Sequence, residues 1–168
     1  MNNSLRIRDG HEKDVDLIKE IAYKVWPDAY NSILPPGQVA YMLELIYSVE
    51  SLKNQIQRLH HHFLILEQEG RGVGFASYSE VKDSNFKLNK LYVLTELQGK
   101  GAGGMLLDRV INNIKQEHAK SLMLTVNRDN LNAKHFYAKR GFKVTREEKA
   151  DIGNGYVMDD YIMELKLE

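Results

Sequence analysis

The sequence has no cysteine. That excludes a disulfide framework, a thiolate zinc site and a cysteine nucleophile. Proline is scarce: Pro27, Pro35 and Pro36 all lie in the first quarter, so no Pro-rich linker divides the chain. Neither sign of charge is in excess, because 23 Lys and Arg balance 23 Asp and Glu. Without a basic surplus the chain lacks the global footprint that holds DNA or RNA, and no nucleic-acid partner is expected. No apolar run approaches the roughly 20 residues of a membrane-crossing helix. Residues 1–4 lack the charged-then-apolar pattern of a secretory leader. A soluble cytoplasmic protein without a membrane partner is therefore expected. Internal repeats and low-complexity tracts are also missing. What remains is 168 residues, 43% hydrophobic and 27% charged, an ordinary composition long enough for one core. The expectation is a single domain over residues 1–168.

Apolar spacing supplies the elements. Residues 5–8 alternate and predict a short strand. Val15, Ile18, Ile21, Ala22 and Val25 repeat at helical spacing, and Pro27 should end or bend that helix. A second helix follows from Val39, Met42, Leu43, Ile46 and Tyr47. A third follows from Leu52, Ile56 and Leu59, with Ser51 as its expected cap. The period then changes. Residues 62–68 and 73–81 read as a hairpin, and residues 86–95 as the next strand. Residues 105–118 read as a helix, 122–126 as a buried strand and 131–140 as a short helix stopped by Gly141. Residues 142–145 and 156–167 are the last strands. The order predicts an α/β chain of the α+β type, a mixed sheet with helices on both faces.

Between strand and helix lies Gln98-Gly99-Lys100-Gly101-Ala102-Gly103-Gly104. Glycine lets the backbone turn sharply and approach a ligand. The unpaired amides and dipole of the helix start favour an anion such as a diphosphate, and Lys100 adds a positive charge. Gly99, Gly101 and Gly104 also fit the dinucleotide fingerprint, but no acidic residue ends the strand about 20 residues on. A Walker A loop is excluded by the lack of Gly-Lys-Ser/Thr.

Gln98, Gly101 and Gly103 also fit Gln-x-x-Gly-x-Gly. Leu91-Tyr92-Val93 precedes them, and the segment from Asn130 through Ala133, Tyr137, Gly141 and Phe142 follows. In this combination the chain resembles the GNAT superfamily of N-acetyltransferases; the helical segment Tyr30 to Ser48, the stretch Asn130 to Phe142 and the late run Met158-Asp159-Asp160-Tyr161 look most like the bacterial PaiA-type polyamine acetyltransferases. The resemblance implies a mostly antiparallel sheet with a splayed pair of central strands, and acetyl-coenzyme A as co-substrate with no metal. It implies that Gln98, Gly99, Lys100, Gly101, Ala102, Gly103 and Gly104 hold the diphosphate. Leu91, Tyr92 and Val93 would lie along the pantetheine arm, with a Val93 amide at the reacting carbonyl. Asn130 would bind the arm from the other side, and Lys139 or Arg140 would meet a phosphate. Tyr137 would be the general acid that protonates the departing thiolate. Without the resemblance, Tyr137 also reads as a core tyrosine and Asn130 as a helix cap.

The implied reaction is transfer of an acetyl group to a primary amine of a small molecule, spermidine and spermine among the candidates. A polycation wants carboxylates and aromatic faces. Tyr30, Glu44 and Asp160 are the chosen substrate residues, with Trp26, Tyr41, Tyr47, Asp159 and Tyr161 as further sources. Many relatives carry a glutamate base where this chain has Asn89; Glu44, Asp159 and Asp160 are the carboxylates that could replace it. That difference also supports an alternative, a non-catalytic acyl-coenzyme A sensor on the same fold. The consecutive His60, His61 and His62 cannot all face one ion from a strand, because side chains alternate, and they read as a solvated turn. A homodimer is implied by analogy only.

Overall fold

The computed structural model describes residues 4–167. Residues 1–3, within the N-terminal reading above, and residue 168, the end of the expected domain, lie outside the described residues. Strand β1 (Leu5–Gly10) leads through a 3-10 turn (Glu12–Asp14) into α1 (Val15–Tyr30), α2 (Gln38–Tyr47) and α3 (Val49–Gln57). Strands β2 (His62–Gln68), β3 (Arg71–Lys82) and β4 (Asn85–Val93) form an antiparallel meander. A second 3-10 turn (Thr95–Leu97) precedes α4 (Ala102–Gln116). Then come β5 (Ser121–Asn127), α5 (Leu131–Lys139), β6 (Lys143–Gly153) and β7 (Tyr156–Lys166). Among the described residues the strands form one seven-stranded sheet, ordered β1-β2-β3-β4-β5-β7-β6. Among these strands β4 and β5 pair in parallel and the other described neighbours are antiparallel.

The expected helices form for the expected reason. Val15, Ile18, Ile21, Ala22 and Val25 are all buried along one side of α1. Pro27 does not end that helix, which continues to Tyr30. The carbonyl that Pro27 leaves without a donor belongs to Tyr23, which is exposed, so water can serve it. Trp26 and Tyr30, one turn apart, are buried and extend the apolar stripe past the proline. Ser48, not Ser51, caps α3; its Oγ accepts from the Ser51 amide at 3.2 Å. Strand β3 begins at Arg71 rather than Val73, because the turn uses only Glu69 and Gly70, both at positive φ. A left-handed two-residue turn matches the twist of its flanking strands. β6 runs to Gly153, far beyond residue 145. Its side chains are mostly exposed, so no apolar alternation marks it, and pairing with β7 holds it.

The helices divide between the faces. Tyr92 and Phe75 pack beside Trp26 and Tyr47 on the α1–α3 face. On the other face, Asn113 of α4 donates to the Tyr78 hydroxyl at 3.1 Å. Lys90 is an exception in the core. It is buried, its Nζ donates to Gln55 Oε1 at 2.6 Å, and it lies over the rings of Tyr47 and Phe63. Among the described residues it has no carboxylate partner. Burial, helped by the charge of Lys87, lowers its pKa to about 7.

One irregularity shapes everything downstream. β4 and β5 pair only at Asn85–Ser121, Phe86–Leu122 and Lys87–Met123. Beyond that the strands part. Ser77 pairs with Lys90 and Tyr78 with Leu88, so Asn89 is an extra residue bulged out of β4. A bulge bends its strand and interrupts the ladder, here just where β4 leaves β5. Asn89 Nδ2 donates to Ser79 Oγ at 3.0 Å and pins the bulge.

The buried cation yields a stability test. Between about pH 7 and 10.5 the unfolded chain holds a proton on Lys90 that the folded chain releases, so this group makes stability rise with pH. Lys90→Met should raise stability at pH 7 by on the order of 1–3 kcal/mol, with the advantage shrinking by pH 10. Urea denaturation at both pH values measures it. A variant less stable at pH 7 contradicts the reading.

Candidate active site

The parting of β4 and β5 exposes a backbone edge in the middle of the sheet. The Leu94 amide donates to the Val73 carbonyl at 2.9 Å, so Leu94 and Val73 are a hydrogen-bonded antiparallel pair. Val93–Gly74 and Leu91–Ala76 in the same register are therefore the non-bonded pairs. The peptide groups of Leu91 and Val93 thus point away from β3, into the gap toward β5. A cleft of about 860 Å³ follows this gap. It runs from Asp28 and Tyr30 on α1, along residues 88–93 and 124–126, to the start of α4 and to Asn130, Ala133, Phe136 and Tyr137.

At one end of the cleft is the glycine loop. Helix α4 begins at Ala102, earlier than the expected residue 105, with Gly101 before it at φ 81. A side chain at that φ is strained, and among the described residues nothing lies within 4 Å of where its Cβ would be. The Gln98 and Lys100 amides bond to the Thr95 and Leu97 carbonyls at 3.1 and 3.3 Å. Among the described residues the amides of Gly99, Gly101, Ala102, Gly103 and Gly104 have no such acceptor. Free amides at a helix start, backed by the helix dipole, are chemically suited to accept an anion. Gln98, Gly99, Gly101, Ala102 and Gly103 line the cleft, whereas the exposed Lys100 and the buried Gly104 do not.

The cation beside this loop is Arg140. Its guanidinium packs against Gly104, lies over the Phe136 ring and bonds Asp108 at 2.7 Å. Lys139 is exposed and outside the cleft. The signal was present in the spacing, since Arg140 at i+7 from Ala133 continues the Ala133, Phe136 and Tyr137 face, whereas Lys139 lies about 100° round the helix from it.

The middle of the cleft is phenolic. Tyr30 and Tyr92 hydroxyls are 3.0 Å apart. Tyr137 lines the cleft, its ring edge-on to Phe136 and Phe142. Its hydroxyl makes no hydrogen bond to another described residue. Burial raises its pKa, and Tyr30 adds to the effect. Burial likewise raises Tyr30 and Tyr92. Asn130 caps α5, its Oδ1 accepting from the Ala133 amide at 3.2 Å, and it also lines the cleft. The cap and the cleft position coexist.

The remaining candidates separate. Glu44 is exposed and accepts from the Tyr23 hydroxyl at 3.4 Å, outside the cleft. Trp26 and Tyr47 are core residues. Tyr41 donates to the Ile152 carbonyl at 2.7 Å and ties α2 to the β6–β7 hairpin. Asp159 pairs with Arg128 at 3.1 Å, and Tyr161 lies beneath Arg128 and Lys134. Asp160 is buried beside the cleft rather than in its wall. His62 pairs with Asp9 at 3.1 Å and stacks on Tyr78. Among the described residues no group of three or more His, Asp or Glu is placed to hold a metal. No described helix is long and apolar enough to cross a membrane.

Comparison with known proteins agrees with this geometry. Residues 34–165 match the model of the acetyltransferase (GNAT) domain. An uncharacterised N-acetyltransferase of Mycobacterium tuberculosis is 28% identical over 150 residues, covering 89% of this chain and 96% of that one. The spermidine N(1)-acetyltransferase of Thermoplasma acidophilum is 27% identical over 169 residues, covering 98% and 99%. The crystal structure of PaiA N-acetyltransferase from Thermoplasma acidophilum, in complex with coenzyme A, superposes with a TM-score of 0.83 at 28% identity, over 98% and 99% of the chains. The dinucleotide reading of the glycines falls away with this match.

The phenols can be tested directly. A group whose folded pKa is raised keeps its proton after the unfolded chain has lost its own, so these tyrosines erode stability above about pH 10. In an absorbance titration, Tyr30, Tyr92 and Tyr137 should remain protonated until alkaline unfolding and then ionise together. Ionisation of all nine tyrosines near pH 10 in folded protein would contradict their burial.

Proposed function

The chain belongs to the GNAT acetyltransferase family and is an N-acetyltransferase; from that premise we propose that it transfers an acetyl group from acetyl-coenzyme A to a primary amine of a small molecule. Polyamines such as spermidine and spermine are the substrate class we favour. The reading treats the chain as a single N-acetyltransferase domain. One observation carries it: unsatisfied loop amides, an unpaired strand edge and an unbonded phenol share one cleft. That sequence of groups suits an elongated ligand with a diphosphate at one end, amides along its arm and a reactive group at its tip.

When bound, acetyl-coenzyme A supplies an acetyl group activated as a thioester. The amides of Gly99, Gly101, Ala102 and Gly103 would hold the diphosphate, and Arg140 adds a positive charge beside them. The peptide groups of Leu91 and Val93 satisfy the amides of the arm as a neighbouring strand would. Asn130 closes the arm from α5. The Val93 amide is the donor for the carbonyl oxygen, where a fixed dipole in a dry cleft counts most. Tyr137 holds its proton at any physiological pH, because burial raises its pKa, and gives that proton to the departing sulfur. The spermidine N(1)-acetyltransferase of Thermoplasma acidophilum, similar over nearly both whole chains, supports the polyamine class. Asn89 pins a bulge and cannot accept a proton as a carboxylate would, so the base must come from elsewhere.

Two measurements test this reading. Tyr137→Phe should lower kcat by about 10²–10³-fold in a thiol-release assay with spermidine, with coenzyme A affinity within threefold by calorimetry. An unchanged kcat would remove Tyr137 from the reaction. Gly101→Val should weaken coenzyme A binding by about tenfold or more, because the loop loses its left-handed turn. Lys100→Ala, outside the cleft, should shift that affinity less than threefold. The reverse ranking would place the diphosphate elsewhere.

A further inference from the structure

The mechanism above leaves the ammonium proton without an acceptor, and one carboxylate in the structure is unexplained. Asp160 on β7 is only 9% exposed. Its Oδ1 is sealed from solvent with no hydrogen-bond partner, and among the described residues no cation pairs with it. A buried charge in that condition is costly and ordinarily finds a partner. Its neighbour Asp159 does so with Arg128.

Register fixes where Asp160 points. It lies opposite Asn127 of β5 and Glu148 of β6, and directly opposed residues share a face. Met158, two residues earlier on the same face, meets Gln38 of α2. Thr125, two residues before Asn127 on β5, lines the cleft. Asp160 therefore faces the α1–α2 side of the sheet, opposite the α4–α5 side that holds the glycine loop. Its charge is felt by Tyr30 of α1, whose hydroxyl bonds that of Tyr92 on β4. Asp160 stands on β7, one strand removed from the gap behind β5, so an acceptor entering from the α1–α2 side would reach the gap beside it.

We propose that Asp160 anchors the acceptor subsite, binding the ammonium of an aliphatic di- or polyamine and taking the proton its nitrogen must lose. This rests on the acetyl-transfer reading above. In the step, the N–H bond breaks and its electron pair stays on nitrogen as the attacking lone pair. The proton forms an O–H bond at the Asp160 carboxylate and later leaves to solvent. Glu148, exposed, across the ladder and without an ion pair among the described residues, offers a carboxylate for a second cation of the substrate. The charged and titratable groups around Asp160 are Glu148 on β6, Asp159 on β7 with Arg128 bound to it, Lys87 on β4 and Tyr30 on α1. Desolvation first, then Glu148 and Asp159, raise its pKa to about 6, while Lys87 opposes them. Above that pH it is a carboxylate able to accept a proton.

Asp160→Asn is the direct test. Removing an unpaired buried charge should leave the melting temperature unchanged or raise it. Calorimetry should give the same coenzyme A affinity as the native chain, while spermidine binding to the coenzyme A-loaded protein weakens at least tenfold. In the thiol-release assay kcat/KM should fall at least 100-fold, and the native acid limb near pH 6 should disappear. Glu148→Gln should move that limb to lower pH, since a charge that raises the Asp160 pKa is gone. It should also weaken spermidine binding more than butylamine binding. Normal coenzyme A binding with spermidine binding and turnover within threefold of native in Asp160→Asn would overturn the proposal and leave the acetyltransferase reading intact. Should Asp160→Asn not fold, an unmoved limb in Glu148→Gln overturns it. A native chain that binds no coenzyme A overturns both.

Discussion

Two parallel strands that pair for three residues and then separate leave peptide groups with no partner in the centre of a sheet. Buried backbone donors and acceptors are almost always satisfied, so such an edge requires something to complete it. Here the cause is local. Asn89 adds one residue to β4, the strand bends, and the Leu91 and Val93 peptide groups turn to an empty gap. The rest of the site is arranged around that gap. The glycine loop follows at one end of β4, α5 borders the other side, and α1 brings Tyr30 to its floor.

The gap also joins the two faces of the sheet. On the α4–α5 side are main-chain amides, Arg140 and the Tyr137 phenol, a set suited to a long anionic ligand. On the α1–α2 side are Tyr30, Asp160 and the exposed Glu148, a set suited to a cation. A reaction between an anionic donor and a cationic acceptor benefits from this separation, because each partner meets complementary charge without sharing a wall. A net charge of zero for the whole chain conceals this local polarity.

Much of this was legible in the sequence where a local rule applied. Apolar spacing located α1, α2 and α4, and the glycines between residues 98 and 104 marked the loop that opens α4. The misplacements were tertiary or solvent effects. Pro27 sits mid-helix because the carbonyl it orphans is exposed. β6 carries charges on both faces and is a strand only because β7 pairs with it. Asn89 reads as a missing acid, yet its structural part is the bulge that opens the sheet, and no sequence period reveals a bulge. Lys139 and Arg140 look equivalent as adjacent cations, and only helical phase separates them. The isolation of Asp160 depends on Asn127 and Glu148, far apart in the chain and adjacent only through strand register.

Amide hydrogen exchange with and without coenzyme A tests the open edge most directly. The amides of Leu91 and Val93 and those of Gly99, Gly101, Ala102 and Gly103 should slow together on binding, while the Tyr92 amide, already directed to β3, should change little. Protection of the loop with Leu91 and Val93 unchanged, or protection on a different surface, would show that no ligand strand completes the gap.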